Sequence, residues 1–88
     1  MLKNHMEDVV EHVLPTIIHE YSGICKCDKC MEDIKAIALN NLKPAYIVTD
    51  KGNAYTKVNE LISQFNVDVM NEITKAVEIV SKNSKHEL

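Results

Sequence analysis

Three cysteines lie within six residues, and they are the chain's strongest chemical signal. The run from Cys25 to Cys30 reads CKCDKC, with the spacing Cys-x-Cys-x-x-Cys. Thiolates are soft ligands that suit zinc and iron–sulfur clusters, and structural zinc takes four ligands in a tetrahedron. A turn at Cys27-x-x-Cys30 can point two sulfurs at one ion, and Cys25 can reach that ion from the preceding chain. We therefore predict a zinc site made by Cys25, Cys27 and Cys30.

Two other interpretations of the cluster remain open from the residues alone. The three side chains can be reduced thiols that pack as small apolar groups, or Cys27 and Cys30 can be a redox pair. A thioredoxin-type redox pair needs a βαβ context, which this sequence does not indicate. Three is an odd number of cysteines, so they cannot all pair within one chain. Zinc is favoured over an iron–sulfur cluster because only three cysteines are present.

A fourth zinc ligand is missing from the cluster itself. His5, His12 and His19 recur every seven residues on one face opposite the apolar stripe, so we predict that this face is solvated. If water is the fourth ligand, the zinc site is open, and hydrolysis at such a site needs an acidic general base nearby. Glu32 and Asp33 are close in sequence, but we expect them to be solvated, and we predict no enzyme. The candidate fourth ligands are His5, His12, His19, His86 in a tail that can fold back, a residue of a partner chain, or water.

The elements that must position the cysteines read as two helices on either side of them. Apolar spacing predicts a first helix from Asn4 to about Tyr21, with a kink or break near Val13 because Pro15 removes a backbone hydrogen bond. We predict a second helix from about 28 to 41, with Asp28 as its N-cap. Pro44 should end it, and residues 44–53 read as a loop that carries a turn.

The last segment, from about Tyr55 to Lys82, contains no glycine or proline and should form one long helix. Its apolar residues step by threes and fours like a heptad seam and broaden to a wide apolar face. Two short helices are too small to cover that face, so a homodimer is favoured over a core made by one chain. The predicted fold is all-α: a three-helix domain over residues 1–88 with the cysteine-rich zinc site between helices 1 and 2.

Composition limits the function as well as the fold. The chain has 88 residues, a net charge of −3, and ten cations that are all lysine. An acidic chain without arginine argues against direct nucleic-acid binding, which depends on neutralising phosphates. Charged residues near the start and the lack of a long apolar run predict a cytoplasmic protein without a membrane span. A core this small usually needs a metal or a partner subunit for stability.

Several stretches resemble the ComFB family, the late competence development proteins of Gram-positive bacteria. They are the cysteine cluster, AIALN at 36–40, PAYIVT at 44–49 and AYTK at 54–57, and the similarity covers nearly the whole chain. The resemblance implies a helical dimer with a cysteine-bound zinc, encoded beside the DNA-uptake helicase of competence operons. A relative carries a fourth cysteine near the position of Ser81 to His86 here. For that reason we favour His86 as the fourth ligand.

The resemblance implies two functions. The favoured one is a zinc-binding dimer that acts as an adaptor or regulator of genetic competence and DNA uptake, with a protein of the competence machinery as partner. The alternative is a receptor for cyclic di-GMP, which some ComFB-like proteins bind. In that case Tyr46 and Tyr55 would stack on guanines. The phosphates would meet three lysines, Lys43, Lys51 and Lys57.

Overall fold

The computed structural model describes residues 2–46 and 54–83 of the 88-residue chain, with the side chains of 2–46 and 56–82. Over these residues the chain forms three helices: α1 (Met6–His19), α2 (Asp28–Asn40) and α3 (Ala54–Asn83). No strand forms within the same residues, and one isolated bridge joins Asn4 to Tyr46. The predicted all-α fold, with the cysteines between the first two helices and a long third helix, is confirmed.

The core lies where α3 packs against both α1 and α2. Each helix contributes apolar residues spaced by three or four, so that one stripe of each faces the others. The α3 stripe is most deeply buried between 69 and 80, where it meets the two shorter helices. The buried residues are Met6, Val9, Val10, Leu14, Ile17 and Ile18 of α1, Cys30, Ile34 and Ala38 of α2, and Leu61, Val69, Ile73, Ala76, Val77 and Val80 of α3.

Helix α1 passes through Pro15 without interruption, so of the kink or break predicted near Val13 the break does not occur. Pro15 is exposed. The carbonyl that loses its helical partner there is that of Glu11, one turn earlier on the same exposed side. Water can satisfy this carbonyl, which removes most of the reason to break the helix. The helix ends at His19, two residues before the predicted end.

Helix α2 begins one residue earlier than its predicted N-cap implies. Cys27 has extended backbone angles, φ −72° and ψ 166°, and is the N-cap, whereas Asp28 lies in the first turn. The prediction that Asp28 caps the helix is therefore wrong, although an acidic side chain in the first turn still favours the helix dipole. The helix ends at Asn40, just before the predicted end, and 44–46 is non-helical as expected. The rest of the predicted loop, 47–53, lies outside the described residues.

Helix α3 has a kink at Phe65, which the sequence did not predict. Phe65 has φ −114° and ψ 21°, outside the helical range. Its side chain borders a cavity together with Met6 of α1 and Leu42 after α2. The bend therefore lies where α3 passes the segment that follows α2. None of the described helices is long and apolar enough to cross a membrane.

Asn4 joins the start of α1 to the segment after α2. Its side-chain Oδ1 accepts hydrogen bonds from the backbone N–H of Met6 at 3.1 Å and of Ala45 at 2.8 Å. The backbone N–H of His5 donates to the carbonyl of Ala45 at 2.8 Å. His5 is only 4% exposed as a result, so the prediction of a solvated histidine face is wrong at this position. His12 and His19 are exposed, as predicted.

Asn4→Ala should lower the free energy of unfolding by about 1–2 kcal/mol, because it leaves two partly buried N–H groups without their acceptor. For a domain of this size that corresponds to a fall in melting temperature of roughly 4–16 °C, measured by circular dichroism. Asn41→Ala is the matched control, since the Asn41 side chain makes only an exposed hydrogen bond to Ile37. Equal destabilisation by the two changes would contradict this role of Asn4.

Candidate metal centre

The cysteine cluster is built by the loop between α1 and α2 and by the first turn of α2. The loop changes direction at Gly23, whose φ of +77° is in the left-handed region that favours glycine. The chain then runs extended into Cys27, and α2 starts at the next residue. Cys25 thus comes from the loop, Cys27 from the helix cap and Cys30 from the first turn of the helix.

The three sulfur atoms converge on one point. All of them lie within 4.8 Å of one another. In a tetrahedral zinc site with Zn–S bonds of about 2.3 Å, neighbouring sulfurs are roughly 3.8 Å apart. Closing the remaining difference of up to about 1 Å takes only small side-chain rotations. The predicted trio therefore fits a single soft metal ion, and no other His, Cys, Asp or Glu among the described residues joins this group.

The trio combines a fixed sulfur with two accessible ones. Cys30 is 2% exposed and belongs to the hydrophobic core, next to Ile34 of the same helix. Cys25 and Cys27 are exposed. Core packing therefore fixes the position of one ligand, while the other two leave a path by which an ion can enter from solvent.

The local electrostatics favour the thiolate form that a metal ion needs. The backbone N–H of Cys30 and then the thiol of Cys25 lower the pKa of Cys27 by stabilising its anion. Its position at the start of α2 places it near the positive end of the helix dipole. Lys29 also lies in this first turn, but its ammonium is bound to Asp33 at 2.7 Å. That contact raises the pKa of Lys29 and keeps the lysine charged beside the cluster.

A small cavity borders the cluster on the side of α3. Its volume is about 210 Å³, and its wall includes Cys25 and Cys30 from the cluster and Ser81 from the C-terminal end of α3. The remaining lining is mostly apolar: Gly23, Ile24, Ile34, Val77 and Val80. Ser81 was not among the residues singled out as ligands from the sequence. The sequence pattern could have indicated its position, because Ser81 follows the buried Val77 by one helical turn near the end of α3.

The structure separates the other predicted ligands from the cluster. His12 and His19 are exposed and do not belong to the group of converging ligands. His5 precedes α1, whose 14 residues span about 21 Å before the loop that carries the cysteines. His86, the favoured fourth ligand, lies outside the described residues. It stays a prediction.

The residues predicted for a cyclic dinucleotide are only partly described. Tyr46 is 60% exposed, which leaves its ring available for stacking but also fits an ordinary surface residue. Lys57 lies 3.4 Å from Glu60. The side chain of Tyr55 and the whole of Lys51 lie outside the described residues. No arrangement around a dinucleotide can be built from the described part, so this function stays a prediction.

These observations define the class of protein: it is a small helical domain with three converging cysteines at the start of its second helix. The family model described as late competence development protein ComFB matches residues 3–84. The chain therefore belongs to the ComFB family, which confirms the resemblance noted in the sequence.

A relative of known sequence and a solved structure show the same similarity. Competence protein ComFB of Bacillus subtilis (strain 168) is 29% identical over 83 residues, which cover 94% of this chain and 85% of that protein. The solved structure of the late competence protein ComFB from Bacillus subtilis matches with a TM-score of 0.81 at 28% identity. That match covers 97% of this chain and 96% of the other.

Proposed function

We propose that this chain is a non-enzymatic zinc protein that serves genetic competence as a homodimeric adaptor or regulator, acting through contacts with other proteins. The observation that carries the proposal is the convergence of three sulfurs within 4.8 Å at the start of α2. Membership of a family described by late competence development supports the biological setting. The expected location is the cytoplasm, where reduced thiols favour metal binding over disulfides.

Zinc is the metal that this donor set suits best. Three thiolates are soft ligands, and iron–sulfur clusters usually need four cysteines. We propose that Cys25, Cys27 and Cys30 bind the ion, with His86 as the fourth ligand. His86 follows Ser81 by five residues, a stretch of chain that can span up to about 17 Å. Because Ser81 borders the cavity beside the cluster, this length is enough for His86 to reach the ion.

The role of the zinc in this proposal is structural. A bound ion would join the loop after α1 to the first turn of α2, and through Cys30 to the hydrophobic core. The energy of metal binding then adds to the stability of a domain whose own core is small.

A protein partner is favoured over nucleic acid by the surface charge. Five lysines, Lys3, Lys29, Lys35, Lys57 and Lys75, lie within 4 Å of a carboxylate on a neighbouring side chain. Their charge is thereby largely neutralised locally, and the chain carries a net charge of −3. Such a surface offers little attraction to a phosphate backbone.

A homodimer through α3 is proposed from the apolar residues that one chain leaves uncovered. Val67 is 68% exposed and Met70 is 40% exposed. Near the kink, Val58, Ile62 and Phe65 are only partly buried. Val67 and Met70 lie three residues apart on one side of α3, so a second copy packed there would remove both side chains from water, which is the main driving force of association.

Removal of zinc should destabilise the protein. We expect about one zinc per chain by elemental analysis, and a fall in melting temperature of roughly 10–20 °C on chelation if free zinc is about 100-fold above its dissociation constant. Cys27→Ser and Cys30→Ser should lose the metal and show no further response to the chelator. His12→Ala, a change of an exposed histidine, is the control and should keep both. Zinc retained by both serine variants would contradict the site.

The proposed dimer predicts a sedimentation mass of twice the 10.0 kDa chain mass. Val67→Lys should shift this mass to that of a single chain, because it places a charge in the apolar interface without touching the core. Thr16→Lys, a change at an exposed position of α1, should leave the dimer intact. A native protein that sediments as a monomer at about 100 µM would argue against the dimer.

The adaptor role predicts direct binding to the purified DNA-uptake helicase of the competence operon. We expect capture of the helicase by the zinc-loaded chain with a dissociation constant in the micromolar range or tighter, measured by pull-down and calorimetry. The variant with all three cysteines changed to serine should bind more weakly, because its loop is no longer held by metal. Lack of any binding at about 100 µM would argue against this partner.

A further inference from the structure

Two of the three cysteines face each other across the first turn of α2. Cys27 is the N-cap residue, and Cys30 is the third residue of the helix. The distance between their α-carbons depends only on the backbone angles of Asp28 and Lys29, and both of these residues are helical. Regular helix geometry places such α-carbons about 5 Å apart. A disulfide spans roughly 4.4–6.8 Å between α-carbons, so the backbone already allows a bond between the two sulfurs.

The alternative pair, Cys25 and Cys27, is placed less well for a disulfide. The chain runs extended into Cys27, and two residues of extended chain separate α-carbons by up to about 7 Å. That distance is at the upper limit of what a disulfide spans. All three sulfurs lie within 4.8 Å of one another, so the sulfur positions do not choose between the pairs. The backbone geometry favours Cys27 with Cys30.

The two sulfurs of this pair differ in their contact with water. Cys27 is exposed, whereas Cys30 is 2% exposed and packs in the core. A dissolved oxidant can therefore reach Cys27, and the sulfur of Cys30 lies close enough to react next. An exposed cysteine beside a second, resolving cysteine is typical of thiols that respond to oxidants. The described residues form three helices and no βαβ unit, so the pair lacks the setting of a thioredoxin-type enzyme.

We propose that Cys27 and Cys30 form a peroxide-sensitive switch: their oxidation to a disulfide releases the metal and detaches the loop that carries Cys25 from α2. This inference rests on the proposed zinc site and adds the regulation of that site. It assigns a different task to each sulfur: Cys27 meets the oxidant, Cys30 completes the disulfide, and Cys25 stays a thiol.

The step balances with hydrogen peroxide as the oxidant. The thiolate of Cys27 attacks one oxygen of the peroxide, the O–O bond breaks, and a sulfenic acid and a hydroxide form. The sulfur of Cys30 then attacks the sulfur of Cys27, the S–O bond breaks, and a second hydroxide leaves as the disulfide forms. The two sulfurs together give two electrons to the peroxide, and solvent protonates both hydroxides. Only one thiolate then remains for the metal, which leaves as the dication.

The disulfide keeps the start of α2 but breaks the link between α2 and the loop. It joins residues within one helical turn, and a ring this short adds little stability to the fold. Cys30 stays in the core, and Cys25 no longer shares an ion with α2. Lys26 is exposed and lies between Cys25 and Cys27. Its peptide bond therefore reports whether the loop is held.

The first test treats the zinc-loaded native chain with a small excess of hydrogen peroxide and then alkylates the remaining thiols after unfolding. Mass spectrometry counts and locates the alkyl groups. We expect alkylation of Cys25 alone instead of all three cysteines, loss of one zinc per disulfide to a chromogenic chelator, and full reversal by dithiothreitol. Alkylation of Cys30 instead of Cys25, alkylation of all three, or a disulfide between two chains would overturn the proposal.

Cys25→Ser and Cys27→Ser are the matched variants, because each replaces one exposed cysteine of the cluster. Both are compared without metal, and circular dichroism checks that each keeps the native helix content. With peroxide, Cys25→Ser should form the disulfide within about threefold of the rate of the metal-free native chain. Cys27→Ser should form any disulfide at least about tenfold more slowly, since its buried Cys30 is shielded from the oxidant. Equal rates in the two variants would overturn the role of Cys27.

Limited digestion with trypsin measures the release of the loop. Cleavage after Lys26 should be at least about fivefold faster in the oxidised chain than in the zinc-loaded chain. Cleavage after Lys3, which lies before the other end of α1, is the internal control and should not change. Equal cleavage after Lys26 in the two forms would overturn the switch. A native chain that binds no zinc but still forms the disulfide would instead refute the zinc site, so the two failures are distinguishable.

Discussion

The convergence of three sulfur atoms at the first turn of α2 is the feature on which the rest of the account depends. One sulfur is fixed by the core, one belongs to Cys27 at the N-cap position of α2, and one comes from the loop that follows α1. The lowered pKa of Cys27 and the dipole of α2 favour the charged form that binds a metal ion. Because the end of α3 borders the same place, an ion there would act on all three helices together.

The size of the domain explains why such a site would matter. Most of the buried apolar residues belong to α1 and to the C-terminal half of α3, and α2 contributes only Cys30, Ile34 and Ala38. A helix with so few buried residues gains little from packing alone. A metal site at its first turn and a second copy on the exposed side of α3 are two ways in which a small chain adds stability.

The sequence predicted the three helices and the cysteine trio because both follow from local patterns. Apolar spacing defines helices. Ligands within six residues of one another stay close in space, independently of how the rest of the chain folds. Three errors arose where the outcome depends on distant contacts. Pro15 is tolerated because its side of α1 faces water, and His5 is buried because Ala45 pairs with it. The kink at Phe65 lies where α3 meets the segment after α2, which no periodicity in α3 reveals.

The most direct test is X-ray absorption at the zinc edge of the purified native protein. The account predicts three sulfur neighbours at about 2.3 Å and one lighter neighbour, nitrogen or oxygen, at about 2.0–2.1 Å. A zinc shell made only of nitrogen and oxygen, or a protein without zinc, would contradict the central claim that the three cysteines bind one metal ion.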